Sequence, residues 1–465
     1  MTIDMLPDNV LVEIFNFYVN IHHLSWKTPR NAWHTLVHVC RRWRYLVFAS
    51  PRRLNLRLEY RGRRPMSKVL DTWPILPVIL ISTVQIRPGD QQWDNTVAAL
   101  ESEHCNRISE IHITDMKIMG CWERFAAAMQ KPFPELTHLH VSIFRSVVPV
   151  LPDSFLGGSA PRLRELSLRM IPFPSIPKLL LSANGLVTLS LWDIPHSGYM
   201  SPDVMATALK VMTKLESLHL QFLSPRSRPD PASQPLPPPT RFVLPALTKL
   251  RFEGVHEYME ALISRIDAPL LYYLYITFFM ALDFDVPQLR RLIGHTEEFK
   301  TFDHAAMLIF GGSILLSLSP PKGTVDDPRL LQLRISCRES DLQLSSLAQV
   351  CSSFPLISTL EELEIRESAF LPSSHWKDNM ENTQWLGLLH PFTALRNLYL
   401  TRSIAQRVCG ALQQVSGERT TEVLPALRNL FVQGSSLQPI QEAMVPFVAA
   451  RQLSGHPLVV DHWEN

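Results

Sequence analysis

Apolar residues beyond residue 100 follow one recurring pattern, LxxLxL, often preceded by proline and one further residue. Alternate residues of a strand point to opposite faces, so this pattern predicts a short β-strand with one buried side. Segments between copies, such as DVMATALKVM from residue 203, have the three- and four-residue spacing of helices. The copies are a weaker RISEIHI from 107, PELTHLHV from 134, PRLRELSL from 161, GLVTLSL from 185, KLESLHL from 214, PALTKLRF from 245, PLLYYLYI from 269, PQLRRLI from 287, PRLLQLRI from 328, TLEELEI from 359, ALRNLYL from 394 and PALRNLFV from 425.

The spacing of the copies indicates how they pack. Steps between first leucines run from 18 residues, Leu271 to Leu289, to 41 residues, Leu289 to Leu330, and mostly lie near or slightly above the range of about 20 to 29 typical of leucine-rich repeats. One copy cannot bury its own apolar face, whereas stacked copies can. The sequence therefore predicts an irregular α/β solenoid, a horseshoe with parallel strands on its concave side. A missed or distorted repeat is expected between residues 289 and 325.

The N-terminal residues have a purely helical pattern. LPDNVLVEIFNFYV, from Leu6 to Val19, begins with a proline and an aspartate that suit the first turn of a helix. A short helix this apolar is expected to bury two sides. One apolar face contains Val10, Ile14, Phe17 and Tyr18, and the second contains Leu11 and Phe15.

A second helix is predicted within AWHTLVHVCRRWRYLVFASP, ending at Ser50 because the residue before a proline disfavours helical geometry. Its basic part suggests a patch for nucleic acid or membrane, a reactive cysteine beside arginines, or a docking helix. The spacing places Cys40 on an apolar stripe, where thiols are usually inert, and His38, Arg41 and Arg42 on the solvated side. The stripe consists of Leu36, Val39, Cys40, Trp43, Leu46 and Val47.

Together the two helices resemble an F-box, in which LPxxxLxxIF is followed, after a variable gap, by VCRRWRxL and SP. The gap, from Asn20 to Asn31, is longer than in the shortest family members. The resemblance implies a small all-α module that docks on the Skp adaptor of a cullin-RING (SCF) ubiquitin ligase. The residues that would form or support this contact are Leu6, Pro7, Val10, Ile14, Phe15, Val39, Cys40 and Trp43.

The rest of the chain, including MQKPFPELTHL, PVLPDSFLGGSAPRLREL and RIDAPLLYYLYITFF, is similar to the expanded F-box families of mushroom-forming fungi. There an N-terminal F-box precedes a leucine-rich-repeat-like region. The resemblance implies a non-catalytic substrate receptor that binds the Skp-type adaptor, through it a cullin, and a protein substrate for ubiquitin-dependent degradation. The alternative is an interaction scaffold without degradation, in which the F-box-like region serves as a helical cap.

We therefore divide the chain into an F-box-like module (1–51), a connector that caps the solenoid (52–106), the solenoid (107–455) and a C-terminal tail (456–465). Within the solenoid, SPRSRPDPASQPLPPPT from 224 to 240 predicts an exposed polyproline-type loop. SH3-like domains bind PxxP patterns of this kind, although plain loops of the same composition are far more common.

The composition of the chain limits the classes of partner that we expect it to bind. The 45 basic and 43 acidic residues nearly cancel, so the chain lacks the field that steers a nucleic-acid binder. Six cysteines without a CxxC pair, and an N-terminus unlike a signal peptide, favour a reducing compartment, the cytoplasm or nucleus. The most apolar run, residues 69 to 86, contains Asp71, Pro74 and Pro77 and would span a bilayer poorly, so no membrane partner is expected.

No catalytic or cofactor-binding constellation stands out in the sequence. His138 and His140 share one strand face, but nothing near them in sequence supplies a third and fourth metal ligand. LGGS at 156 and FGGS at 310 match no phosphate-binding loop and are interpreted as turns. We therefore expect no enzyme activity, no metal and no cofactor.

The remaining candidate site is the concave surface. Residues between and just after the leucines of each copy would face it, and arginine and aromatic side chains commonly anchor protein contacts. The candidate substrate-binding residues are Arg169, Trp192, His219, Arg251, Tyr273, Tyr275, Arg334, Arg366 and Tyr399.

Overall fold

The computed structural model shows an α/β protein with two units, residues 1–198 and 199–465. In both units parallel strands alternate with helices, as the sequence predicts. The structure describes residues 5–23, 33–51, 53–71, 76–82, 90–116, 119–143, 150–174, 176–226, 241–279, 286–320, 328–336, 340–367, 382–415, 421–433 and 438–463.

The first unit begins with helices and continues with strands that run parallel in the order of the sequence, β1 to β6. Short 3-10 helices cover Glu103–Arg107, Phe155–Gly158 and His196–Gly198. The helices and strands are α1 (Asp8–His23), α2 (Trp33–Val39), α3 (Arg41–Ala49), β1 (Leu58–Tyr60), α4 (Met66–Leu70), β2 (Val78–Ser82), α5 (Gln91–Glu101), β3 (Ile108–Met116), α6 (Met119–Ala128), β4 (His138–Ile143), β5 (Glu165–Arg169), α7 (Ile176–Ser182) and β6 (Thr188–Ile194).

The predicted connector, residues 52–106, is more regular than expected. It contains β1 and β2, which extend the parallel sheet by two strands ahead of β3. The sequence pattern missed them because β1 is short and β2 is apolar on both faces, with Val78, Ile79 and Leu80 all buried. Parallel strands covered on both sides have such continuous apolar runs. The most apolar run of the chain is therefore in part a buried strand.

The second unit contains the remaining helices and strands. Two 3-10 helices cover Glu297–Thr301 and Pro355–Thr359. Its elements are α8 (Pro202–Leu209), β7 (Ser217–Phe222), β8 (Phe242–Val243), β9 (Lys249–Gly254), α9 (His256–Ile263), β10 (Ile266–Asp267), β11 (Tyr273–Phe279), α10 (Pro287–His295), β12 (His304–Phe310), β13 (Ser313–Ser319), β14 (Leu330–Ser336), α11 (Ser340–Ser353), β15 (Glu362–Glu367), α12 (Asn382–Leu389), β16 (Asn397–Leu400), α13 (Arg402–Gln413), β17 (Asn429–Gln433), α14 (Gln438–Leu453) and β18 (Val459–Trp463).

The large sheet of the second unit has the strand order β7-β9-β11-β14-β13-β12-β15-β16-β17-β18, and β8 pairs separately with β10. The prediction of purely parallel strands is wrong at one place, because β13 runs antiparallel to both β12 and β14. Gly311 and Gly312 form the turn between β12 and β13, as predicted for FGGS. This hairpin lies in the region where an irregular repeat was expected.

The LxxLxL pattern forms similar local structure in successive copies. Its first leucine closes a tight turn, as where the Leu136 N–H donates to the Phe133 carbonyl (3.1 Å) and the Leu247 N–H to the Leu244 carbonyl (3.2 Å). The next apolar residues are buried under helices, for example where α11 packs on β14 and α13 on β17. Their alternating neighbours, such as His140, lie on the opposite side of the strands, called the polar face below.

PQLRRLI at 287 forms α10, so the prediction of a strand there is wrong. The four-residue step from Leu289 to Ile293 also fits a helix, and both residues are buried. The Glu260 carboxylate accepts hydrogen bonds from the backbone N–H of Gln288 (2.8 Å) and of Leu289 (2.9 Å). These bonds satisfy donors that the first turn of a helix leaves open, which favours the helix.

The C-terminal segment 456–465, predicted as a tail, instead contains β18, which pairs in parallel with β17. The polyproline-type loop predicted for 224–240 lies outside the described residues from 227 onward. The helix predicted near residue 203 is confirmed as α8. Its start is capped by the Ser201 hydroxyl, which accepts from the Val204 N–H (3.4 Å).

Gly62, between β1 and α4, is expected to tolerate no side chain. Its φ is +71°, and a Cβ there would contact the Gln92 carbonyl oxygen and lie 2.6 Å from the Thr96 hydroxyl oxygen. The Gly62→Ala variant should therefore lose about 2 kcal/mol of unfolding free energy, measured by urea denaturation. Gly294→Ala is the matched control, because a Cβ on this helical glycine meets no atom within 4 Å. It should be neutral or stabilising by up to about 1 kcal/mol, and equal effects of the two variants would contradict the prediction.

Candidate functional site

The first helix, α1, keeps one apolar face exposed. Leu11 and Phe15 are buried within the N-terminal helices, whereas Val10, Ile14 and Phe17 are exposed, Phe17 by 70 %. The expectation that both apolar sides would be buried is therefore wrong for the isolated chain. The three exposed side chains are spaced by four and three residues, so they share one helical face, which we call the α1 apolar face.

The second predicted helix is broken at Cys40 into α2 and α3. The Cys40 Sγ accepts a hydrogen bond from the Trp43 N–H (3.4 Å), so the thiol caps the start of α3. The predicted single stripe is therefore wrong: Leu36, Leu46 and Val47 are buried, but Val39 is exposed and Cys40 and Trp43 are half-buried. The break rotates α3 relative to α2, which a continuous helical spacing could not predict.

The arginines of this segment connect the helices to one another. The Arg42 guanidinium pairs with the Asp8 carboxylate (2.6 Å) and donates to the Leu6 carbonyl (2.6 Å). The Arg44 Nε donates to the Val37 carbonyl (2.9 Å). The interpretation of Arg42 as a purely solvated side chain is thus corrected, because it holds the start of α1 against α3.

The eight predicted adaptor-binding residues do not share one environment. Phe15 is buried, with its ring 4.6 Å from that of Trp43, so these two support the module from within. Leu6 and Cys40 are half-buried. The exposed ones are Pro7, Val10, Ile14 and Val39.

On the polar face of the first unit, histidines surround a buried carboxylate. Glu110 on β3 forms an ion pair with Arg57 and lies 3.1 Å from His112 Nε2 and 3.8 Å from His138 Nδ1. Burial, and the neighbouring His112, lower the pKa of His140. Within the part of the chain that the structure describes, no group of three or more His, Cys, Asp or Glu residues is arranged to hold a metal ion.

The other predicted residues of this unit lie on the next two strands of the sheet. Arg169 on β5 is exposed and donates to Asp193 (2.7 Å), and half-buried Trp192 on β6 is its partner in the strand register. Both thus lie on the polar face, as expected from the alternation.

In the second unit, arginines of the polar face lie over aromatic rings on other strands. The guanidinium carbon of Arg251 is 4.4 Å from the ring centre of Tyr275, which is its register partner one strand away, and Tyr273 lies on that same strand. Arg334 lies 5.0 Å from the centre of Phe310 and donates through Nε to Ser313 (2.9 Å). Such contacts fix the guanidinium planes on the surface.

The last strands carry an aromatic cluster. The Tyr399 and Phe431 rings are stacked with centres 4.8 Å apart, and the Trp463 ring meets Tyr399 edge-on at 5.5 Å. Arg366 lies 5.2 Å from the Trp463 ring centre and forms an ion pair with the buried Glu364. Arginine and stacked aromatic side chains provide large, rigid contact area for a protein partner.

Sequence reasoning missed Phe310 and Trp463 in these clusters. Phe310 ends β12, and Trp463 ends β18 in the segment predicted as a tail. The sequence did contain a signal for Phe310, because strand-like segments on both sides of Gly311 and Gly312 are typical of a hairpin. Trp463 had no comparable signal, because its partners lie on strands distant in sequence.

His219, on β7, is only 5 % exposed. Burial, and then the charge of Arg251, lower its pKa from 6.5 to about 3. The His219 imidazole therefore binds a proton more readily in the unfolded chain than in the folded chain. The stabilisation from neutral His219 is accordingly present above pH 6.5 and is lost as the pH falls towards 3. The stability difference between the wild type and His219→Asn should shrink by about 2 kcal/mol between pH 7 and pH 5 in urea denaturation. A difference independent of pH would contradict this.

Two cysteines of the second unit, Cys351 and Cys409, are buried. Burial raises the pKa of the Cys409 thiol to about 12 and that of Cys351 well above its usual range. No helix among the described residues is long and apolar enough to cross a membrane.

The chain matches no protein-family model and no curated protein sequence.

Proposed function

We propose that the chain is the substrate-recognition subunit of an SCF-type cullin-RING ubiquitin ligase, acting in the cytoplasm or nucleus. The observation that carries this proposal is the α1 apolar face, which is exposed although it lies within the segment that resembles an F-box. Small modules rarely expose several large apolar side chains on one helix face unless a partner covers them. We interpret residues 1–51 as an F-box module and assign this face to the Skp-type adaptor.

In this proposal the repeats bind a protein substrate. We interpret the alternating strands and helices as an irregular leucine-rich-repeat solenoid, whose polar face presents the arginine–aromatic pairs and the aromatic cluster of β16–β18. The subunit itself performs no chemistry. It holds a lysine-bearing protein near the E2 enzyme that carries ubiquitin. This raises the effective concentration of the lysine relative to the bound ubiquitin.

Capture of the adaptor from a cell extract tests the proposal. Tagged full-length chain should retain the Skp-type adaptor and, through it, a cullin. A chain lacking residues 1–51 should retain neither, and proteins that accumulate when this chain is expressed are substrate candidates. Failure of the full-length chain to retain the adaptor contradicts the proposal.

The second candidate function is a scaffold without degradation, favoured by the mixed charge and aromatic content of the polar face alone. It differs in one measurable result. A scaffold retains its protein partner through the repeats, but the partner's half-life is unchanged when residues 1–51 are removed.

A further inference from the structure

The polar face of the last four strands, β15 to β18, carries more negative than positive charge. Alternation along β15 places Glu362, Glu364 and Arg366 on this face, and Asp461 on β18 is the register partner of Phe431. The buried Glu364 is paired with Arg366, so these two charges cancel. Within the described part of the chain, neither the Glu362 nor the Asp461 carboxylate forms an ion pair with an arginine or a lysine.

The contacts of these two carboxylates leave their negative charge in place. Glu362 accepts a hydrogen bond from the neutral side-chain amide of Asn397 (3.2 Å). Asp461 accepts one from the backbone N–H of His462 (2.8 Å) and lies 3.4 Å from His462 Nδ1, which carries charge only when the ring is protonated. Both carboxylates can therefore accept further hydrogen bonds from a cation.

The charge of Glu362 acts on its neighbours. Burial, and then the Glu362 carboxylate, raise the pKa of Tyr399, and the same two causes raise the pKa of Asp303. Two arginines, Arg396 and Arg428, immediately precede β16 and β17, where alternation turns them away from the polar face. A cation bound on the polar face would therefore meet a negative potential.

The aromatic cluster lies between the two carboxylates. Tyr399 and Phe431 are on β16 and β17, the strands between β15 and β18, and Trp463 reaches Tyr399 from β18. All three side chains are half-buried, so each keeps some surface open to solvent. The guanidinium of Arg366 lies 5.2 Å from the Trp463 ring centre, so this cluster already holds one arginine by its rings. Aromatic faces attract cations, and arginine more often than lysine.

The distance between the carboxylates suggests the spacing of the ligand. Three strand spacings, about 14 Å in all, separate the strands of Glu362 and Asp461. An extended peptide advances about 3.3 Å per residue, so residues four apart are separated by about 13 Å and lie on the same side. Long basic side chains at these two positions could reach both carboxylates, with the middle residue over the aromatic cluster.

We propose that the polar face of β15 to β18 binds an extended basic segment of a protein partner. Two arginine side chains four residues apart meet Glu362 and Asp461, and the residue between them lies on the aromatic cluster. That this partner is a ligase substrate rests on the proposed function. The binding itself is a property of the second unit and needs no adaptor.

Fluorescence polarisation tests the proposal with the labelled peptide Gly-Ser-Arg-Ser-Leu-Ser-Arg-Ser-Gly, titrated with the full-length chain at low ionic strength. The peptide should bind saturably, and a peptide with glutamate in place of both arginines should bind at least about tenfold more weakly. The isomer Gly-Ser-Ser-Arg-Arg-Leu-Ser-Ser-Gly has the same charge but adjacent arginines, and should bind at least about threefold more weakly. The proposal is wrong if the first peptide shows no saturation below about 1 mM, or if the glutamate peptide binds equally well. Equal binding of the isomer would overturn the four-residue spacing.

Variants locate the binding. Glu362→Gln and Asp461→Asn each remove one negative charge but keep a side-chain oxygen as acceptor, so both should fold as the wild type does. Each should weaken the arginine peptide by about threefold or more, and the double variant by about tenfold or more. Phe431→Leu removes one ring and should weaken it by about threefold. The control is Glu442→Gln, which removes an exposed carboxylate from α14 and should leave the affinity unchanged. Wild-type affinity in the double variant would overturn the assignment.

Peptide binding and adaptor capture fail separately. If the chain retains the Skp-type adaptor but does not bind the arginine peptide, the basic-segment site is wrong and the ligase proposal is unaffected. If the chain binds the peptide but does not retain the adaptor, the ligase proposal is wrong and the site on β15 to β18 is supported.

Discussion

The Ile14→Glu variant is expected to lose most of its capture of the Skp-type adaptor, by about 10- to 100-fold. Ile14 is 42 % exposed on the α1 apolar face, so a glutamate there is solvated in the free chain and costs little stability. In a complex that covers this face, the same carboxylate would be buried without a partner. The measurement is the amount of adaptor retained by equal amounts of folded full-length chain, with Val10→Glu as an independent second variant.

A matched control separates an effect of the α1 apolar face from a general effect of adding a surface charge. Val204 on α8 is 43 % exposed, almost the same fraction as Ile14, but it lies outside the F-box-like module. Val204→Glu should retain the adaptor as the wild type does. Ile14→Leu should also retain it, because the apolar contact is kept. If Ile14→Glu and Val10→Glu both retain as much adaptor as the wild type, the proposal that the α1 apolar face binds the adaptor is wrong.

The Arg451→Met variant is expected to lose about 3 kcal/mol of unfolding free energy. Arg451 lies in the last turn of α14 with 0 % exposure, and its guanidinium donates to the carbonyls of Leu424 (3.2 Å), Pro425 (3.2 Å) and Leu427 (3.0 Å). Methionine keeps the apolar stem but leaves these acceptors without this donor. Burial lowers the pKa of Arg451, and the three carbonyls compensate for part of that desolvation.

Urea denaturation of the full chain measures this loss, and hydrogen exchange on β17 and β18 shows where it acts. Arg451→Lys should recover only part of the stability, because a point charge cannot match the planar set of donors that reaches three carbonyls. The control is Arg396→Met, which removes an exposed pair with Glu361 (2.9 Å) and should change stability by less than about 1 kcal/mol. An Arg451→Met effect no larger than that of the control would contradict the assigned role.

The two apolar faces of α1 show why packing cannot be derived from spacing. Val10 and Ile14 have the same helical spacing as Leu11 and Phe15, so the sequence predicts two apolar edges without choosing between them. In the structure the face with Leu11 and Phe15 is the buried one, because the Phe15 ring packs on Trp43 of α3. Because that contact depends on the break at Cys40, it required the three-dimensional arrangement of α2 and α3.

The candidate substrate surface was predictable at its strand positions but not in its contacts. Alternation placed Arg251, Tyr275 and Arg334 on the polar face, where the structure has them. It contained no information about Phe310 or Trp463 as partners of Arg334 and Arg366. Contacts across a sheet depend on strand order, and the insertion of the β12–β13 hairpin changes that order.

The sequence by itself determined the α/β class, the positions of most strands and, for those strands, the side that is buried. These follow from the local two-residue period of apolar side chains. The tertiary structure decided the helix at 287–295, the antiparallel β13, the final strand β18 and the exposed face of α1. Each of these depends on residues far apart in the chain, such as Glu260 at the start of α10, which no local pattern can bring together.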